Sequence, residues 1–254
     1  MAQSFRQAEI IEIAQRDGKV TVEGLAEHFN VTLQTIRRDL AELGDSGKLE
    51  RVHGGAILPS GIANIGYEDR RSLNQMGKEG IARACAAQLP QSCSIFLNIG
   101  TTTEAVAREL LSHRDLMVVT NNMNVANILA QNEACQVILT GGALRRSDGG
   151  LVGNLTTETI RQFKFDYAVI GCSALDEEGD ILDFDIQEVG VSQTIIRQSR
   201  KTILAADHTK FQRHAPARIG SLAEMDMFVT DSPLPASLAS ACKNWGTEVV
   251  LADT

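Results

Sequence analysis

Apolar positions in the first part of the chain recur with a helical period. Ile10, Ile13 and Ala14 stand at i, i+3 and i+4, Ile11 widens the stripe, and Asp17-Gly18 ends it. Thr21 can cap a second helix with the stripe Val22, Leu25, Ala26 and Phe29. After the turn at Asn30-Val31, Thr32 caps a third helix running to Leu43, with Gly44 as its terminator. Val31 and Ile36 fall at the two positions of a hydrophobic staple, so this helix start is doubly specified. Leu33, Ile36, Leu40 and Leu43 form one narrow stripe, from which Gln34, Thr35 and Arg38 point away while Arg37 lies on the flank. Two helices joined by such a turn make a helix-turn-helix, whose later helix enters the DNA major groove. "KLERVHGGAIL" (48–58) then sets two strand-like runs around Gly54-Gly55, a hairpin or wing.

The pattern then changes. Residues 59–76 have no periodicity and contain Pro59, Gly61 and Gly66, as a linker would. A helix over 79–89 is followed by apolar runs alternating with helical stretches: "CSIFLNIG", "DLMVVTNN", "CQVILTGG", "FDYAVIGCS", "KTILAADHT", "MDMFVTD" and "EVVLAD". Continuous apolar strands between helices predict an α/β fold with a mainly parallel sheet covered on both faces. The expected organisation is a winged helix-turn-helix over 1–58, a linker over 59–76 and an α/β domain over 77–254. Ligands of such sheets bind beyond the carboxyl ends of the strands. Those ends carry mostly small, amide and hydroxyl residues, which bulk composition does not require.

Charge adds a constraint. The 254 residues carry a net charge of −8, which argues against indiscriminate nucleic-acid binding. Residues 1–58 hold seven Lys/Arg against nine Asp/Glu, so only the placement of charge marks this part as a DNA reader. No apolar run approaches the ~20 residues of a membrane span, and no signal peptide is expected. Cys85, Cys93, Cys135, Cys172 and Cys242 are scattered, as incidental thiols of a reducing cytoplasm would be, and no metal spacing is present.

"NIGTTTEAVA" is a strand end, a glycine turn, three threonines and a helix start. Helix-terminal N–H groups with hydroxyls make an anion site without a lysine in the loop, and Gly100, Thr101, Thr102 and Thr103 fit one. Thr103 fits a plain helix cap equally well. Gly141-Gly142 and Gly149-Gly150 let backbone approach a ligand closely, and Lys210 could supply the counter-charge. Asp207 and Lys210 fit either a surface ion pair worth ~0–1 kcal/mol or a site with Lys210 on phosphate and Asp207 on a hydroxyl. Asn121 and Asn122 suit polyol recognition and also suit a turn. Glu188, in "DFDIQEV", reads as an acid in a helix's first turn, with a general base as the sharper alternative.

These stretches carry a resemblance. The chain from Arg6 through "VTLQTIRRDL" to "RVHGGA" resembles the DeoR family of bacterial transcription regulators, and "LNIGTTTEAVA", "VTNN", "LTGG", "GLVGN" and "ADHTKF" resemble that family's sugar-phosphate sensor domain. The order is collinear over nearly the whole chain. The resemblance implies a sensor fold related to ribose-5-phosphate isomerase and glucosamine-6-phosphate deaminase. It implies a repressor released from operator DNA by a small phosphorylated effector and needing no cofactor. The family's phosphate loop falls on Gly100, Thr101, Thr102 and Thr103, and its Asp-x-x-Lys pair on Asp207 and Lys210. "TNNMNVANIL", "RRSDGGLVG" and "FDIQEV" are most similar to regulators of glycerol metabolism, which implies glycerol 3-phosphate or a close three-carbon phosphate. Asn98 replaces an acid found in many relatives, and Gly190, Val191, Ser192 and Gln193 stand where relatives often have basic residues.

Gln34, Thr35 and Arg38 are therefore expected on base edges, and Arg37, Lys48 and Arg51 on DNA phosphates. One such module reads few base pairs, so a homodimer or homotetramer on repeated half-sites is expected. A competing reading is a sugar-phosphate isomerase or deaminase with an attached DNA module, using Asp207, Glu188 and Lys210. Against it, the candidate site has no further His around it and the DNA reader is complete. A pure protein-interaction module is disfavoured by the glycine- and threonine-rich strand ends.

Overall fold

The computed structural model describes residues 2–46, 48–52, 54–57 and 66–253. Helix α1 (Ala2–Asp17) ends where Gly18 takes φ +75°. Strand β1 (Lys19–Thr21) leads into α2 (Val22–Phe29), where the Thr21 side chain accepts the Gly24 N–H. Helix α3 (Leu33–Asp45) starts at Thr32, whose side chain accepts the Thr35 N–H. Its end differs from expectation. The helix passes Gly44, and Ser46 closes it through its N–H to Glu42 and its hydroxyl to the Leu43 carbonyl. Ile36, Leu40 and Leu43 are buried, but Leu33 is 41% exposed, because a side chain at the first helical position leans out past the helix end. Asp39 is buried instead, with its carboxylate on the Arg6 guanidinium. This pair fastens α1 to α3.

The wing consists of β2 (Glu50–Val52) and β3 (Gly55–Ile57), and β1 joins it in a three-stranded antiparallel sheet. Gly55 permits this. A Cβ there would lie 1.8 Å from the Val20 carbonyl oxygen.

Residues 59–65 of the expected linker lie outside the described residues. The stretch after them is not featureless, because Tyr67–Ser72 forms a short helix, α4. It escapes a periodicity reading because polar anchors, not an apolar stripe, hold it. The Tyr67 hydroxyl donates to Glu104, and Arg70 pairs with Asp148.

The rest alternates as predicted: α5 (Gln75–Gln88), β4 (Ser94–Leu97), α6 (Thr101–Glu109), β5 (Leu116–Thr120), α7 (Met123–Leu129), β6 (Cys135–Leu139). A hairpin, β7 (Ala143–Arg145) and β8 (Gly150–Val152), precedes α8 (Asn154–Arg161) and β9 (Phe165–Ile170). Then come β10 (Ala174–Leu175), β11 (Asp180–Asp183), α9 (Ile186–Gln198), β12 (Ser199–Ala205) and a 3-10 turn, His208–Gln212. The chain closes with β13 (Ala217–Ser221), β14 (Met227–Thr230), α10 (Ala236–Trp245) and β15 (Glu248–Leu251).

Seven strands make one parallel sheet, ordered β15-β14-β12-β9-β4-β5-β6. Each of the seven apolar runs supplies one of them. Both faces are covered, one by α5, α6 and α7 through Ile81, Val106 and Leu129, the other by α8, α9 and α10 through Ile160, Ile195 and Leu238. Burial on both faces is why these strands read as unbroken apolar runs. Two small antiparallel sheets, β7-β8 and β10-β11-β13, lie outside it. The DNA-binding unit meets this domain where the buried Gly18 lies against the Gln212 side chain. Among the described residues no helix is long and apolar enough to cross a membrane.

Candidate DNA-reading helix and anion cavity

On α3, Gln34, Arg37 and Arg38 are exposed, Thr35 is half-buried, and Lys48 is exposed beyond the helix end. The start is rigid, because the Thr32 side chain holds the Thr35 N–H and its hydroxyl lies 2.9 Å from that of Thr35. Arg38 leans toward Glu42 at 3.7 Å, a loose i, i+4 pair that leaves the guanidinium in solvent. Arg51 belongs to β2, beside this helix in the sequence of the fold. A capped helix with polar and cationic side chains on the face opposite its core is suited to groove insertion.

The second site is a cavity of about 490 Å³ at the carboxyl ends of the parallel strands, where Gly100, Thr101, Thr102 and Thr103 form one wall. Gly100 is the residue before α6, at φ +144°, so the first N–H groups of the helix stay unshielded. Thr103 is not the cap; its hydroxyl donates to the Gly100 carbonyl at 2.8 Å. Lys210 reaches the same cavity from the 3-10 turn. It is buried, and its ammonium makes no hydrogen bond or ion pair among the described residues. Burial, with the neighbouring Arg213 charge, pulls it down to about 8. Arg213 is also buried, and both terminal nitrogens lack a hydrogen-bond partner among the described residues.

The cavity wall also carries acids. Asp183, Asp185 and Glu188 line it with Arg145 and Asp148. Arg145 ties the set together, bonding Asp148 at 2.7 and 2.9 Å and Asp185 at 2.8 Å, and lying 3.1 Å from Glu188. Burial drives the Glu188 carboxyl well above the usual range, and Arg145, already shared with two other acids, offsets this only in part. The Asp183 carboxylate accepts the Ser173 hydroxyl at 2.8 Å. One cavity thus offers cations, backbone donors and acids.

Several expected residues lie elsewhere. Asn121 and Asn122 are fully buried framework residues: Asn121 donates to the Leu151 carbonyl, and Asn122 caps α7 through the Asn124 N–H. Gly141 and Gly142 shape the turn into the β7-β8 hairpin, where the Gly141 carbonyl accepts the Thr156 hydroxyl. A Cβ on Gly142 would meet that hydroxyl oxygen at 2.1 Å. Asp207 caps the 3-10 turn through the Thr209 N–H and hydroxyl, so its nearness to Lys210 is neither a surface pair nor a direct bond. Burial raises its carboxyl, but Lys210 and the Thr209 hydroxyl outweigh this and keep it low. Asn98 bonds Ser192 within the core. Glu188 is both a first-turn acid of α9 and part of the cavity wall. Tyr67, Arg70, Arg145, Asp148, Ser173, Asp183 and Asp185 were not singled out by sequence, although "RRSDGG" and "DFDIQEV" contain four of them.

A DNA-reading helix-turn-helix joined to a sheet with a charged cavity at its strand ends defines a ligand-responsive DNA-binding protein. The DeoR-like helix-turn-helix domain matches residues 6–61, and the DeoR C terminal sensor domain matches residues 73–232. The chain belongs to the DeoR family and is a transcriptional repressor of that type. It is 45% identical to the glycerol-3-phosphate regulon repressor of Escherichia coli over 94% of each chain. It is 41% identical to the repressor of that name from Haemophilus influenzae, over 99% of this chain and 98% of the relative. Ribose 5-phosphate isomerase A from Neisseria gonorrhoeae shares 14% identity at a TM-score of 0.38, over 53% of this chain and 52% of that one.

Proposed function

We propose that this repressor leaves its operator when glycerol 3-phosphate, or a close three-carbon phosphate, fills the cavity. The phosphate sits on Lys210 and the donors of the 100–103 loop, and the hydroxyls face Asp183 and Glu188. The observation that carries this is Lys210, a buried ammonium with no hydrogen bond or ion pair among the described residues, beside an uncapped helix start. The amides first expected to bind hydroxyls are engaged in the framework, and the acids of the cavity wall replace them. The relatives' printed names, glycerol-3-phosphate regulon repressor, support the same effector.

At the DNA, Gln34, Thr35 and Arg38 read base edges, while Arg37, Lys48 and Arg51 hold phosphates. Residues 1–58 and 77–254 fold as separate units, and copies of the chain pair on repeated half-sites. Effector can shift the equilibrium only by binding the free protein more tightly than the DNA-bound form. The test is calorimetry of the full chain with glycerol 3-phosphate, glycerol, inorganic phosphate and glucose 6-phosphate. Glycerol 3-phosphate should bind most tightly and glycerol not at all. Tighter binding of glucose 6-phosphate would remove the effector assignment.

A further inference from the structure

Helix α4 is the first described element after the stretch that joins the two units, and its anchors converge on the cavity. The Tyr67 hydroxyl lies 2.8 Å from Glu104 and 3.1 Å from the Asn124 amide. The Arg70 carbonyl receives the Lys78 ammonium and, at 3.4 Å, the Thr101 hydroxyl. Thr101 belongs to the phosphate loop, so the backbone of α4 already touches that loop. The Arg70 guanidinium lines the cavity and gives one nitrogen to Asp148 at 3.1 Å. Its Nε is buried and has no hydrogen-bond partner among the described residues. It also lies near enough to Lys210 and Arg213 to lower the proton affinity of each. Three clustered cations with unused donors are costly to bury unless an anion joins them.

We propose that Arg70 is a ligand of the effector's phosphate, and that α4 carries the occupancy of the cavity to the DNA-binding unit. A guanidinium has donors enough to keep Asp148 and give its free Nε–H to a phosphate oxygen. Seating the anion fixes α4 against the 100–103 loop at the point where the chain departs toward the DNA reader. The inference rests on the phosphate site proposed above, and it adds a residue and a route that neither the motifs nor the relatives' names assign.

The experiment compares full-length wild type with Arg70→Gln, Arg70→Lys and Lys210→Ala. Glycerol 3-phosphate binding is measured by calorimetry and operator release by fluorescence anisotropy. Operator binding without effector reports that each variant is folded. Arg70→Gln should weaken glycerol 3-phosphate roughly 10- to 100-fold. At concentrations that saturate this variant, the operator should stay bound. Arg70→Lys should recover part of the affinity, because it keeps the charge and loses the fork. If Lys210→Ala loses binding while Arg70→Gln binds like wild type, Arg70 is not a ligand and the phosphate site stands. If saturated Arg70→Gln releases operator fully, α4 is not the route. If wild type fails to bind glycerol 3-phosphate, the site and the inference fall together.

Discussion

Arg37 and Arg38 on α3 stand in solvent, whereas Arg70, Lys210 and Arg213 are withdrawn from it around the cavity. The first group keeps its hydration, folds at little cost and is open to a partner at the surface. The second gathers like charges away from water, an arrangement that gains most from a dianion. An acidic chain can therefore use positive charge twice. Outside, it is placed on one helix face; inside, it is concentrated around one cavity.

The contrast breaks most severely if the two units are not separable. Ile36 is fully buried between α1, α2 and α3. Ile36→Ala should cost about 2–5 kcal/mol in the DNA-binding unit. Operator binding should be lost while the heat of glycerol 3-phosphate binding stays at the wild-type value. Loss of both would mean that the units fold as one.

A smaller effect separates the roles on α3. Arg38→Ala should lower specific operator affinity by ~1–3 kcal/mol and relax base preference. An unchanged affinity ratio between operator and scrambled DNA would take Arg38 off the base edges.

Among the cations around the cavity, Lys210 carries the pH response. Lys210, held at about 8 mainly by burial, is charged below that pH and neutral above it. Glycerol 3-phosphate affinity should be constant from pH 7 to 8 and fall about tenfold per unit above it. Asp207, whose carboxyl Lys210 and the Thr209 hydroxyl hold low against its burial, stays charged across this range. Lys78 also lies at about 8 through burial, but its ammonium is engaged with the Arg70 and Leu73 carbonyls. Lys210→Arg should flatten the profile, and a wild-type profile flat to pH 9.5 would mean that Lys210 does not meet the phosphate.

The smallest effect is on Arg37, where Ala should weaken all DNA sequences alike and reduce the salt slope by about one phosphate contact. An unchanged slope would leave Arg37 off the backbone.

The same contrast explains what the sequence reveals. The DNA reader follows from one helix, because the stripe Ile36, Leu40 and Leu43 determines which side chains face out. The seven sheet strands follow too, because burial on both faces leaves unbroken apolar runs. The cavity gathers residues from α4, the 100–103 loop, β7, β11, α9 and the 3-10 turn, and no period relates them. Motif reading points to Lys210 and the threonines, which share the cavity wall. It cannot tell that Asn121, Asn122 and Asp207 turn inward to cap and brace the backbone. Nor can it see Arg70, which sits in a stretch without apolar rhythm and reaches the site only through long-range polar contacts.

We propose that a phosphate on Lys210 releases the operator. The most direct test is a titration of glycerol 3-phosphate against the full-length protein–operator complex, wild type beside Lys210→Ala. The account predicts that wild type dissociates while Lys210→Ala binds operator normally and stays bound at every effector concentration. Dissociation of both at the same concentration would contradict it.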